Sequence, residues 1–163
     1  MELTQFLTEN RVACVSHATS KKRALELLSE LLVADVTGVS QGEVFDSLCE
    51  RERLGGTGLG QGVAIPHGRL GGLDRAVCAF LKLRTGVDYD AMDGRPVDLI
   101  CGLLVPREST QEHLEILAAL AEMFSDETFC ARMRAAGTPH ELYRLLVSWQ
   151  PPQPLPAGRV AGT

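Results

Sequence analysis

The chain has little of what would announce a membrane, secreted or nucleic-acid-binding protein. No apolar run approaches the roughly 18 residues of a membrane span, which argues against insertion. The opening "MELTQFLTEN" lacks both a basic flank and a continuous apolar stretch, so no secretory signal is expected and the protein is placed in the cytoplasm. Excess positive charge is also missing: the formal charge is -5 and the pI is near 5.4, against a nucleic-acid partner that clustered Lys and Arg would neutralise. "KKR" at 21–23 is too short to reverse that balance. The five cysteines, Cys14, Cys49, Cys78, Cys101 and Cys130, form no CxxC pair, are odd in number and sit in apolar or helical surroundings; they read as reduced core fillers. There is no internal repeat, and no linker before residue 149.

What is present fits one domain: 163 residues, 45% hydrophobic and 23% charged. After Trp149 the sequence becomes "QPPQPLPAGRVAGT", whose four prolines and two glycines leave nothing to pack. The expectation is a folded unit over 1–149 and a disordered tail over 150–163.

Three helix starts carry a hydroxyl residue followed three positions later by Glu: Ser40 with Glu43, Ser109 with Glu112, and Thr138 with Glu141. Pro139 strengthens the third. Another helix opens at Ser20 and places Ala24, Leu27, Leu28, Leu31 and Leu32 on one stripe. "DETFCARMRAA" makes a further helix, stopping at Gly137. Between them lie extended segments at 62–65, 76–83 and 97–105. The last is apolar almost throughout, as a central strand covered on both faces should be. Helices before and after a cluster of strands predict a layered α/β domain with a mixed sheet.

"GQGVAIPHGRL" at 60–70 carries the chemistry. Pro66 fixes its own φ, lacks an amide proton and holds Ile65 extended, so a strand is expected to end there with His67 at its exit. Gly68 permits a conformation other residues resist and leaves amides approachable, in the manner of an anion-binding nest. Upstream, residues 54–62 hold five glycines with Thr57 as the one hydroxyl, yet without the Lys of a P-loop or the spacing of a dinucleotide fingerprint. A neutral, exposed imidazole among amide donors suits a nucleophile that takes and returns a phosphoryl group. On a helix His113 shares a face with Leu117 and Leu120; beside the strand exit it can bond His67 or its phosphate, and Arg51 can add a guanidinium fork. Plainer readings stand beside these: a satisfied core histidine for His113, a tight connection for the glycine loop, a solvated charged face for Arg51. His17 and His140 look incidental.

Together, "ERERLGGTGLGQGVAIPHGRL", "PVDLICGLLVP", "HLEILAALAEMFSD" and "ELYRLLV", in that order over about residues 3–148, resemble the enzyme IIA domains of the fructose and mannitol class of the bacterial phosphoenolpyruvate-dependent phosphotransferase system, most of all its nitrogen-type regulatory members. The resemblance implies an α/β/α sandwich with a mixed sheet. It implies phosphorylation of His67 by a histidine-containing phosphocarrier protein, with Arg51 beside the site, His113 facing it, and no cofactor or metal. Gly56 stands where relatives often carry Ser, which leaves Thr57, Gly68 and backbone amides to bind the phosphate. Leu59, Ile65 and Leu70 are the expected apolar docking rim. Two other functions fit less of the sequence: a sugar-specific component passing phosphate to a IIB partner, and a pure interaction module that no longer uses its histidine. A metal-dependent hydrolase is a poor fit, since two histidines are placed for ligation and no carboxylate is spaced with them.

Overall fold

The structure is a computed structural model and describes residues 2–152; most of the expected tail over 150–163 therefore lies outside the described residues. Strands β1 (Val12–Val15), β2 (Gly58–Gly60), β3 (Val63–Ala64), β4 (His67–Leu70), β5 (Val77–Val87) and β6 (Val97–Pro106) form a mixed sheet. Its order is β1-β5-β6-β3-β2, with β4 also on β6. β1 runs parallel to β5, β5 antiparallel to β6, and β3 and β4 both parallel to β6. Among the described residues no helix is long and apolar enough to cross a membrane.

Helices α1 (Lys21–Leu32) and α2 (Gln41–Leu54) cover one face of the sheet, and α3 (Thr110–Phe124), α4 (Glu127–Ala135) and α5 (Pro139–Ser148) the other. The alternation of β5 produces this division: Cys78 and Phe80 point to the α3–α5 core, Val77, Ala79, Leu81 and Leu83 to the α1–α2 core. The α/β/α sandwich read from the sequence is thus the architecture observed. β6 lies between β5 and the β3–β4 segment and is buried along nearly its whole length, as its apolar composition requires. Cys78, Cys101 and Cys130 are buried, Cys14 and Cys49 half-buried, and all five are free.

The helix starts divide. Ser40 and Glu43 form the reciprocal capping box, and Ser20 and Thr138 each accept an amide of their first turn. Ser109 does not: its backbone (φ -89°, ψ 56°) leaves the side chain without a capping bond. α4 starts on Asp126 and ends at Ala136. Two short strands escaped the sequence reading. β1 is four residues long and exists because β5 offers it a parallel edge, while the expected loop at 58–60 pairs with β3 as β2.

The chain does not leave the sheet at Pro66 either. β3 and β4 hold a single register along β6, Ala64 opposite Ile100 and His67 opposite Leu103, so they are one line of chain interrupted at Ile65–Pro66. Pro66 still contributes its carbonyl, which accepts from Leu103 N at 3.0 Å. Ile65 faces the opposite edge, where its amide reaches Thr57 O at 3.0 Å. β2 ends there, and the Ile65 carbonyl is left without a strand partner.

Candidate functional site

That carbonyl is what holds the imidazole. His67 Nδ1 lies 2.9 Å from Ile65 O, and Arg51 Nε lies 3.2 Å from His67 Nε2. A carbonyl only accepts and a guanidinium only donates, so the two neighbours dictate the tautomer: Nδ1 carries the proton and Nε2 presents its lone pair. Burial holds the ring below its ordinary value of 6.5; the bond to Ile65 opposes this, and the charge of Arg51 adds to it. The half-buried ring therefore presents an unprotonated Nε2 to a cation, an arrangement that suits a nucleophile.

Arg51 sits on the last turn of α2, where its Nη1 donates to Gly55 O at 2.7 Å. α2 approaches β4 closely because of Gly68. This glycine is buried within a strand and has no positive φ, contrary to the expectation of an unusual turn; its role is clearance. A Cβ at 68 would run into Ser47 Oγ and lie 3.3 Å from Ser47 Cβ. The adjacent loop is tied down by Gly62, which has φ +80° and whose absent Cβ leaves room for Arg134 and Asp98. Arg134 in turn bonds Asp98 through Nε at 2.9 Å and Gln61 O at 2.7 Å.

His113 arrives from α3, its ring edge-on to that of His67 with centroids 5.1 Å apart and planes at 71°. The face shared with Leu117 and Leu120 points inward as expected, Leu120 being fully buried and Leu117 partly so. Its Nε2 is buried and has no hydrogen-bond partner among the described residues. Burial depresses its proton affinity, and the neighbouring His67, Arg69 and Arg51 depress it further. Arg69, two positions along β4 from His67, is exposed and donates to Thr110 Oγ1 at 3.1 Å.

The structure thus brings Arg51, His67 and His113 together, and it moves other expectations. Thr57 is 6% exposed and its hydroxyl is engaged with Glu52 and Tyr89, so it faces inward rather than toward an arriving phosphate. Ile65 and Leu70, expected on the docking rim, are buried at 3% and 9% exposure because β3 and β4 pack between the two helix layers. Leu59 is exposed, as are Leu54 at the end of α2 and Leu114 beside His113. His140 pairs with Glu9 at 2.8 Å, away from these residues. Sequence reasoning missed Glu52, in the charge run that reads as a solvated face around Arg51, and Arg69, which carries no local signal of its own. Among the described residues no three His, Cys, Asp or Glu side chains group closely enough to hold a metal ion.

Comparison with known proteins gives one consistent answer. The sequence model of a family described as "Phosphoenolpyruvate-dependent sugar phosphotransferase system, EIIA 2" matches residues 5–149. A nitrogen regulatory protein of Klebsiella oxytoca is 43% identical over 147 residues, covering 90% of each chain. One from Pseudomonas aeruginosa is 41% identical over 150 residues, covering 92% of this chain and 97% of its own. The crystal structure of nitrogen regulatory protein IIA-Ntr from Neisseria meningitidis superposes with a TM-score of 0.82 at 40% identity, covering 88% of this chain and 98% of that one.

Proposed function

The chain belongs to the EIIA 2 family of the phosphoenolpyruvate-dependent sugar phosphotransferase system, and from that premise we propose that it is a nitrogen-type regulatory phosphocarrier, phosphorylated on Nε2 of His67 by a histidine-containing phosphocarrier protein. The observation that carries this reading is the pair of bonds that fixes the ring: Nδ1–H to Ile65 O, and Arg51 Nε to Nε2.

In the resting state the lone pair of Nε2 is occupied by Arg51. As the donor's phosphohistidine arrives, that N–H passes to a phosphoryl oxygen and frees the nitrogen for in-line attack. A phosphorus–nitrogen bond forms at Nε2, the donor's phosphorus–nitrogen bond breaks, and its electron pair returns to the donor imidazole. The proton on Nδ1 stays in its bond to Ile65. Arg51 and His113, whose Nε2 has no partner among the described residues, meet charge on the equatorial oxygens. One phosphoramidate replaces another, so the transfer is readily reversible and the phosphorylation level reports the state of the relay upstream. The exposed Leu54, Leu59 and Leu114 supply the apolar contact for the donor.

Incubation with the phosphocarrier, its kinase and phosphoenolpyruvate should add an acid-labile phosphate to the wild-type chain and none to His67→Ala. Labelling that persists in the variant defeats the assignment. Adding a IIB protein to the labelled chain then tests the regulatory reading: phosphate retained supports it, and rapid onward transfer makes the chain a sugar-transport component.

A further inference from the structure

Next to Arg51 stands a carboxylate that the transfer itself does not use. The side chain of Glu52 is only 6% exposed. It pairs with Lys21 Nζ of α1 at 2.8 Å, accepts the Thr57 amide at 3.1 Å and the Tyr89 hydroxyl at 3.0 Å, and takes the Thr57 hydroxyl as well. Lys21 Nζ lies 4.4 Å from the centre of the Tyr89 ring, which comes from the connection between β5 and β6 and is buried in the α1–α2 core. Burial by itself would push the Glu52 carboxyl up, but the bonds from Lys21 and Thr57 outweigh it and hold the group below its ordinary value. Such a pair is a costly way to gain stability, since a packed apolar replacement often does as well. What it does supply is a fixed geometry joining α1, the end of α2, the Gly55–Thr57 segment and the loop after β5.

We infer that Glu52 is a positioning residue for phosphoryl transfer. It clamps the Gly55–Thr57 segment to the end of α2 and so fixes the Gly55 carbonyl, which takes Nη1 of Arg51 and aims Nε at His67. The path runs from the Glu52 carboxylate to Thr57 N at 3.1 Å, along the main chain to Gly55, whose amide also meets the Glu52 main-chain carbonyl at 3.2 Å, then from Gly55 O to Arg51 Nη1 at 2.7 Å and from Arg51 Nε to His67 Nε2 at 3.2 Å. The effect on transfer rests on the proposal that His67 is the phosphorylated residue; the effect on Arg51 does not.

Glu52→Gln keeps the size and an acceptor oxygen while removing the charge that binds Lys21. In the protein alone, exchange of the Arg51 Nε–H with solvent, followed by NMR, should accelerate on the order of tenfold as the guanidinium loses its aim. In the phosphorylation assay kcat should fall on the order of tenfold, with the donor KM changed by less than about twofold, because the group lost acts on geometry rather than docking. In an Arg51→Ala background Glu52→Gln should cost no more than about twofold, since the residue it acts through is gone. Tyr89→Phe removes a single donor to Glu52 and should move both readouts the same way by less, which decides the matter should Glu52→Gln fold poorly. Unchanged Arg51 exchange in both variants, or a lowered Tm with unaltered kcat, would leave Glu52 a structural residue and overturn the inference; so would a loss that multiplies with that of Arg51→Ala. If the wild-type chain takes no phosphate the reading of His67 fails, and the exchange measurement still decides whether Glu52 aims Arg51.

Discussion

In the phosphoryl transfer proposed for His67, two single hydrogen bonds replace what a catalytic base does elsewhere. Nothing has to remove a proton from the nucleophile, because Ile65 O already holds it on the far nitrogen. The same environment sets the pH response. With burial holding the ring below 6.5, the fall in the rate of phosphate acceptance as Nε2 becomes protonated should have its midpoint at a pH below 6.5. A rate that halves at 6.5 itself would mean that the ring titrates as if in water. Arg51→Ala should lower kcat by about 100-fold, the range for removing one preorganised donor to a developing charge. His113→Ala should cost about tenfold in kcat by the same argument; kinetics equal to wild type would return that residue to a packing role.

Elements, rather than side chains, set how closely Arg51 and His67 approach. α2 lies against β4 because Gly68 presents no Cβ to Ser47. Gly68→Ala should therefore destabilise the fold by about 1–3 kcal/mol, the usual cost of overpacking. Ser47→Ala should recover part of that loss by removing the Oγ that the new methyl meets. Chemical denaturation of the single and double variants checks this, and simple additivity would show that the two positions do not compete for space. α2 is also the helix with the complete capping box, and Ser40→Ala should cost about 1 kcal/mol of stability. α3, which brings His113, has no such cap, because the chain enters it from β6 with Ser109 turned away from the first-turn amides. The sequence pattern of hydroxyl and Glu is the same in both helices. The entry angle, set by the strand that precedes α3, decides which pattern closes into a box.

The stability of the whole molecule should carry the acid dependence of these partly buried groups. His67 and His113 both resist protonation when folded, so below 6.5 the unfolded chain binds more protons than the native one. Their contribution is full above that pH and is lost as the pH falls through the depressed native values. Glu52 contributes in the same sense further down: its share is present above 4.5 and is lost as the carboxylate is protonated below it. Urea midpoints should fall as the pH drops below 6.5, and the double variant His67→Gln, His113→Gln should flatten the first part of that fall. The docking face proposed for the donor is also set by the whole molecule, since Leu54, Leu59 and Leu114 come from α2, β2 and α3. Leu114→Glu or Leu54→Glu should raise the donor KM by about tenfold with little change in kcat, and an unaltered KM would take that residue out of the interface.

The sequence alone determined the layered α/β class, through one nearly unbroken apolar strand among capped amphipathic helices, and it singled out His67 beside its proline; that Arg51 and His113 meet it, rather than lying on a solvated face or in the core, was decided by the packing of α2 and α3. Clearance at Gly68 was legible only as a glycine; that it admits Ser47 is a contact between residues 21 positions apart on different elements. Leu70 and Ile65 look like rim residues from their neighbours, yet the helix layers close over β3 and β4 and bury them. Glu52 and Lys21 look like solvated charges, and become a partly buried pair because α1 and α2 pack together over Tyr89. Local sequence fixes which groups are available and which backbone each prefers, whereas burial and cross-element distance arise only when the layers pack, and those two quantities decide which nitrogen is free, which hydroxyl is taken and which charge is held.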